Sequence, residues 1–267
     1  MHNNGELTSD GNVMAEFPLD PQLSKLLCES PKHECANEML SIAAMLSVPN
    51  CFVRPFKDAR EADKAKLNFV HSEGDHLTLM NVYNGYKHHQ GSRTFCTDNY
   101  LNPRSLASAD NVLTQLKRTM ERLGLGLKSL SHKEPRYMSN LQKCLVAGFF
   151  MQAAHQTRAG HYLTVKDNQV VALHPSCVLL NSPEWVIYNE FVLTSKNFIR
   201  TVSTVRPQWL LELAPNFYDL DDPDDFPEGE AKRKLLRARE RAKNGDTTAG
   251  AQPWTLPTTS HTSRRPR

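Results

Sequence analysis

The sequence of 267 residues lacks the short motifs that mark several classes of enzyme. It contains no G-x-x-x-x-G-K-[ST] loop, which would cradle a triphosphate, and no G-x-S-x-G or H-E-x-x-H, which carry a serine nucleophile or a zinc ion. It also has no apolar run of the roughly 20 residues that a membrane-spanning helix needs, and no recognisable signal peptide. We therefore expect no catalytic residues, no cofactor or metal bound to this chain, and no membrane partner.

The six cysteines, at positions 28, 35, 51, 96, 144 and 177, include no C-x-x-C pair. This distribution favours reduced thiols in an intracellular protein over disulfides or a zinc site. The eleven histidines are scattered as well. The adjacent His88 and His89 are better explained as solvated side chains at a polar helix end than as metal ligands.

The formal net charge of +3 is unevenly distributed along the chain. Residues 231–267 contain ten Lys and Arg against two acidic residues, a net of +8, which leaves −5 for residues 1–230. The larger part of the chain is therefore not a uniformly basic surface for nucleic acid. Any such contact there must come from a local groove.

Apolar residues recur at helical spacing through the first 154 residues. Asp58 followed by Glu61 is typical of a capping box, and Asp75 is expected to cap the helix that begins at His76. Gly148, inside the last of these helices, indicates a close approach of two helices. The expected helices are Gln22–Cys28, one through Met39–Leu46, Asp58–Phe69, His76–Tyr86, Pro103–Leu123 and Leu141–Ala154.

From Tyr162 onward the apolar period changes to two, which is typical of half-buried strands. Asp-Asn stands at the tip of the turn Lys166–Gln169, and Ser195–Asn197 supplies a second reversal. Two strands are not stable alone, so these must belong to a small barrel or sandwich. Helices followed by strands predict an α+β chain of two modules. The expected strands are Tyr162–Val165, Val170–Leu173, Trp185–Thr194 and Phe198–Arg206, with a short helix Trp209–Leu213 after them.

The last part of the chain, residues 221–267, is predicted to be an acidic linker followed by a basic, disordered tail. The aspartates from Asp219 to Asp225 are interrupted by proline, with no histidine among them, which indicates a solvated linker. Lys232–Lys243 is compatible with a helix and has the composition of a nucleic-acid-binding or nuclear-import element, although solvated charged helices share it. Residues 245–267 have few core-forming side chains, so we expect disorder there.

Eight signatures, in a fixed order, connect the chain to a known family. Together they span roughly Gly5 to Leu220 and closely resemble the C-terminal region of DEAH-box RNA helicases, in particular the subgroup that acts in spliceosome disassembly and ribosome biogenesis. The signatures lie at Ala15–Pro21, Ile42–Pro49, Val53–Pro55, Gly74–Tyr83, Asn102–Asn111, Gly148–His155, Gly160–Ser176 and Trp185–Arg206.

The resemblance implies an order of domains. Residues 1–33 would be the remnant of a winged-helix domain with its apolar surface exposed, and residues 34–130 a helical ratchet (HA2-like) domain. Residues 131–220 would be an OB-fold with a lead-in helix at 136–155, built as a small antiparallel barrel. The two motor domains of the family, which hold ATP and Mg²⁺, would precede residue 1. Since the chain also lacks a D-E-A-H motif, we expect no ATP hydrolysis by it alone.

The function implied is that of an RNA channel and regulator-binding region. Helicases of this family pull single-stranded RNA through a channel and commonly work in mRNA splicing in the nucleus. Their partners are G-patch activator proteins and components of the spliceosome or the pre-ribosome. The alternative is a free-standing RNA- or protein-interaction module without a motor.

Two places are candidates for contact with RNA. The first is the start of the long helix, where Asn102, Arg104 and Ser105 combine free N–H groups, a positive helix end and a guanidinium. A structural helix start, with Arg104 paired to a surface acid, is the alternative there. The second is formed by residues that flank the turns of the barrel, as OB-fold ligand loops do, although exposed turn lysines often serve only solubility. These residues are Lys166, Lys196, Asn197 and Arg200.

Overall fold

The computed structural model describes residues 5–194, 196–222, 226 and 229–244. The segment 245–267, for which the sequence predicts disorder, lies outside the described residues, as do Asp224 and Asp225 of the acidic linker. Within the described part of the chain, no helix is both long enough and apolar enough to cross a membrane.

In the described part of the chain, eight helices precede the first strand. The apolar periodicity of the sequence predicted, among others, the helices at residues 36–46, 75–88 and 103–122. The helices are α1 Ser9–Ala15, α2 Pro21–Glu29, α3 Ala36–Leu46, α4 Ala59–Leu67, α5 Asp75–His88, α6 Arg93–Asp98, α7 Pro103–Arg122 and α8 Tyr137–Phe149.

Two local details differ from the sequence prediction. Asp58 occupies the N-cap position of α4 but makes no side-chain capping hydrogen bond, so the expected capping box with Glu61 is not formed. The lead-in helix expected at 136–155 ends at Phe149, and Ala153–Gln156 is a strand. The two alanines that begin this strand fit either period, and pairing with strands on both sides decides the outcome.

Five strands close into a barrel in the order β1-β2-β3-β5-β4. The expected small OB-like barrel is therefore confirmed. Four of its five pairings are antiparallel, while β3 and β5 run parallel, because strand direction cannot alternate throughout a closed ring of five strands. The strands are β1 Ala153–Gln156, β2 Tyr162–Thr164, β3 Val170–Leu173, β4 Trp185–Leu193 and β5 Asn197–Thr204.

The N-terminal helices belong to the main hydrophobic core. A Cβ atom on Gly148 of α8 would lie 3.0 Å from both the carbonyl oxygen of Gln22 and the Cβ of Leu26 in α2, which confirms the close helix contact. Leu26 and Leu27 are fully buried. The exposed apolar surface expected of a winged-helix remnant is limited to Leu7 among the described residues 5–33.

Among the residues that the structure describes, two helices follow the barrel, α9 Pro207–Leu213 and α10 Glu230–Lys243. Ala231 and Leu235 of α10 are buried in the same core as Trp209 and Leu210 of α9. The prediction that Lys232–Lys243 is compatible with a helix is confirmed, but the disordered tail predicted from residue 221 onward does not include residues 230–243, which are docked on the core. The helix is highly charged, but Ala231, Leu235 and Ala238 form a small apolar face along one side of it. This face packs against the core.

Candidate nucleic-acid interface

A groove of about 790 Å³ lies between the helical bundle and one side of the barrel. On the helical side its wall consists of the loop at 48–54 and one face of α4. On the barrel side it consists of the loop at 174–178 together with Arg200 and Thr201 of β5. The groove is therefore built from both modules, and its width depends on how they are docked.

Asp75 fixes that docking. Its carboxylate accepts hydrogen bonds from the backbone N–H of Val202, at 2.8 Å, and of Val178, at 3.0 Å. The expected capping role is wrong, because Gly74 occupies the N-cap position and the Asp75 side chain points to the barrel. Burial raises the pKa of the Asp75 carboxyl, while the two backbone donors act in the opposite direction.

Gly74 and His76, on either side of Asp75, also contact the barrel. We call this contact between the start of α5 and the barrel the junction. Gly74 forms an antiparallel bridge with Ser203 at a φ of +122°, and the imidazole Nδ1 of His76 lies 2.8 Å from the Ser203 hydroxyl. His76 is fully buried against the ring of Phe149, and burial lowers its pKa to about 3. A neutral imidazole is therefore the species at this contact.

Three cations line the groove, and each has a partner. Arg54 makes two hydrogen bonds to the carboxylate of Asp63, at 2.7 and 2.8 Å, and lowers the pKa of that carboxyl. Arg200 is bonded to Glu190 on the neighbouring strand. The ammonium group of Lys66 donates to the carbonyl oxygen of Ser176 across the groove, at 2.7 Å.

The groove thus combines positive charge with local neutralisation. Both arginines keep N–H groups at the surface, since their side chains are 65% and 44% exposed, but a bound phosphate must compete with Asp63 and Glu190. Leu67 and Leu180, both strongly exposed, add apolar surface to the same lining. A cationic groove that follows the backbone is one element of a single-strand binding surface, and aromatic side chains that stack on bases are the other; the two leucines offer apolar contact in place of stacking.

The start of α7 lies beside this groove. The N–H of Asn102 donates to the carbonyl oxygen of Cys51, in the loop that forms the groove wall. The Asn102 side chain caps the helix by accepting from the N–H groups of Arg104 and Ser105, so those two donors are already used. Ser105 is buried, and its side chain does not face the surface. Arg104 is exposed and forms no ion pair with any residue that the structure describes.

The four candidate residues of the barrel do not converge on one site. Of these, Arg200 lines the groove. Lys196 is exposed at the β4–β5 turn, and the Asn197 side chain donates to the carbonyl oxygen of Val170. Lys166 contacts a residue outside the groove: its ammonium group lies 4.7 Å from the centre of the Phe217 ring.

Sequence reasoning missed Arg54 and Lys66 as groove residues. Arg54 stands in one of the eight signatures, Val53–Pro55, which was a usable signal. Lys66 is one of several lysines on a charged helix, and its direction toward Ser176 follows only from the docking of the modules.

Two segments of the chain match models of known protein families. Residues 20–79 match the helicase associated domain (HA2), ratchet-like, and residues 141–218 match the oligonucleotide/oligosaccharide-binding (OB)-fold. The two occur together, in this order, in the C-terminal region of DEAH-box helicases. The chain has the domains of a DEAH-box helicase C-terminal region.

This assignment connects the groove with helicase architecture. One wall of the groove comes from the ratchet-like domain of this DEAH-box helicase region, and the other wall comes from the OB-fold. The ratchet-like match begins at residue 20 and so includes α2, which the family resemblance assigned to the exit of a winged-helix domain.

Proposed function

We propose that this region holds single-stranded RNA for a DEAH-box RNA helicase, with the strand lying in the groove between the ratchet-like domain and the OB-fold. Arg54, Lys66 and Arg200 contact phosphates, and the exposed leucines of the groove contact bases. Nucleotide hydrolysis belongs to motor domains of the family, which have motifs that this sequence does not contain.

The observation that supports the proposal is the fixed docking of two nucleic-acid-related domains around one groove. Asp75 bonds two separate segments of the barrel from the first turn of α5. A groove held in this way keeps its width while RNA slides through it. Preorganisation of this kind lowers the entropic cost of binding a flexible strand.

We further propose that the parent helicase acts in the nucleus, in pre-mRNA splicing, with a second role in ribosome biogenesis. G-patch activators and components of the spliceosome or the pre-ribosome would be its partners. The support is the resemblance of the eight signatures to that subgroup. Immunoprecipitation of the full-length helicase followed by sequencing of the bound RNA tests this part, and recovery of neither intron-containing nor pre-ribosomal RNA would contradict it.

The groove is tested by removing the acids that compete with phosphate. Fluorescence anisotropy with labelled single-stranded RNA compares the wild-type chain with the double variant Asp63→Asn, Glu190→Gln. Because this change frees Arg54 and Arg200, we expect affinity to increase about threefold to tenfold, the scale of two exposed ion pairs.

A charge-matched control separates a groove effect from the general gain of positive charge. Glu16→Gln with Glu212→Gln also frees one arginine and one lysine, Arg122 and Lys143, away from the groove lining. We expect this control to change RNA affinity by less than twofold. Equal gains in both double variants, or no gain in the groove variant, would contradict the proposed path of the strand.

A further inference from the structure

One face of α10 is anchored firmly to the rest of the molecule. Ala231, Leu235 and Ala238 are buried. The ammonium group of Lys234 donates to the carbonyl oxygen of Gln156 in β1, at 2.5 Å, and lies 3.3 Å from the carboxylate of Glu184. The helix is therefore attached directly to the OB-fold, with its orientation fixed.

The opposite face carries a row of arginines, which we call the arginine row: Arg233, Arg237 and Arg241. Their spacing of four residues places successive Cα atoms about 6 Å apart along one side of the helix. All three are exposed, and none has an ion-pair partner among the residues that the structure describes. Arg233 donates one N–H to the carbonyl oxygen of Gly229, and its other N–H groups remain at the surface.

Arg239, by contrast, forms an ion pair within the structure. It lies on the flank of α10, where its guanidinium contacts the carboxylate of Asp221 at 3.0 Å. The groove arginines are neutralised in the same way by Asp63 and Glu190. The arginine row differs from both, because none of its guanidinium groups is ion-paired with a residue that the structure describes, including the nearby exposed Glu240.

A regular row of guanidinium groups without ion-pair partners in the described part of the chain is complementary to a polymer with regularly repeated negative charge. Guanidinium groups bind phosphate oxygens bidentately and are weakly hydrated, which favours a phosphodiester backbone over isolated carboxylates. The attachment of α10 to Gln156 and Glu184 places the row next to the OB-fold, so RNA that contacts the barrel can continue onto it.

We propose that the exposed face of α10 is a second RNA-binding surface, on which Arg233, Arg237 and Arg241 bind the phosphodiester backbone without reading sequence. The inference rests on the proposed function, since it assumes that this region handles RNA, but it uses residues that do not line the groove. Because the contacts are electrostatic, they raise the salt dependence of binding more than its selectivity.

The test measures binding of labelled single-stranded RNA by the full chain over a range of KCl concentrations. The triple variant Arg233→Gln, Arg237→Gln, Arg241→Gln is compared with a control that removes three exposed charges elsewhere, Arg93→Gln, Lys117→Gln and Arg118→Gln. Thermal melting verifies that both variants fold.

We expect the row variant to bind RNA about tenfold more weakly at low salt. The slope of log affinity against log salt concentration should fall by about 2, since each single-strand phosphate contact contributes about 0.7. The control should retain the wild-type slope.

Three outcomes would overturn the inference: an unchanged slope in the row variant, an equal loss in the control, or competition by poly-glutamate as effective as that by unlabelled RNA. The last would identify the row as a surface for acidic peptides. Introducing Asp63→Asn and Glu190→Gln into the row variant separates this question from the groove. A gain in affinity that persists there supports the groove whatever the result for α10.

Discussion

The carboxylate of Asp75, in the first turn of α5, accepts a hydrogen bond from the backbone N–H of Val202 in β5 at 2.8 Å. A second bond, from the N–H of Val178, connects the same carboxylate to the loop that lines the groove. One side chain of the ratchet-like domain thus satisfies two backbone donors of the OB-fold. Buried backbone donors are costly to leave without a partner, so this carboxylate stabilises the arrangement of the domains.

Asp75→Asn should weaken this junction while preserving the shape of the side chain. The amide retains one acceptor oxygen, but its NH₂ group faces the other backbone donor. We expect the free energy of unfolding to fall by about 1–3 kcal/mol, the cost of one unsatisfied buried donor. Urea denaturation followed by circular dichroism measures it. Asp98→Asn, at an exposed position, is the control and should leave the midpoint unchanged.

The Asp75 contacts also show where reasoning from sequence stops. An aspartate at the start of a helix fits a local capping role, whereas its partners lie 103 and 127 residues away along the chain. Local patterns carry no information on such contacts, because these arise only when the two modules dock. The same limit applies to Lys66, whose partner Ser176 is 110 residues away.

Other features could be predicted because they depend on local periodicity. Glu190 and Arg200 face each other across the β4–β5 hairpin, and the hairpin predicted from the sequence places them on neighbouring strands. Helix α7 follows from Pro103 and a regular apolar stripe. Ala153 and Ala154 could not be assigned to a strand in this way, since small residues satisfy helical and strand patterns equally.

Gly74→Ala should disrupt the junction more severely than the change at Asp75. A Cβ atom at this position would lie 2.3 Å from the carbonyl oxygen of Val202, and the φ of +122° is unfavourable for any other residue. We expect a loss of about 3 kcal/mol or more in the free energy of unfolding, from backbone strain and overlap together. Differential scanning calorimetry measures the loss.

Gly126→Ala provides the matched control for Gly74→Ala. Gly126 has open space around its Cα and no positive φ. Alanine should therefore be neutral or slightly stabilising there, because it restricts the unfolded chain. A Gly74→Ala variant as stable as this control would show that the strand and helix can separate at the junction without cost.

The buried His76 should make the fold sensitive to acid. Burial lowers its pKa to about 3 in the folded state, whereas an unfolded histidine binds its proton near pH 6.5. Between these values the unfolded state binds more protons, so the free energy of unfolding falls as pH decreases from about 6.5 toward 3. His76 alone contributes up to about 1.4 kcal/mol per pH unit in this range.

A comparison of variants isolates this contribution. His76→Gln removes the titrating group, so its unfolding free energy should depend less steeply on pH than that of the wild type, although the variant is less stable at pH 7. His88→Gln, at an exposed position, is the control for the substitution itself. Urea titrations at a series of pH values measure the slopes. Parallel profiles for wild type and His76→Gln would mean that His76 is not buried in its neutral form.

Arg104 tests whether RNA reaches the start of α7. Its backbone is fixed by the cap that Asn102 provides, while its guanidinium is exposed and has no ion-pair partner in the described part of the chain. If it contacts a phosphate, Arg104→Ala should weaken RNA binding by about 1 kcal/mol, in the range of a charge-assisted hydrogen bond, and leave the melting temperature nearly unchanged.

Arg118→Ala, at an exposed position of the same helix, controls for the lost charge. A variant that melts earlier but binds RNA normally would assign Arg104 a structural role. Equal losses of affinity in the two variants would mean that binding responds to net charge, with no specific contact at the helix start.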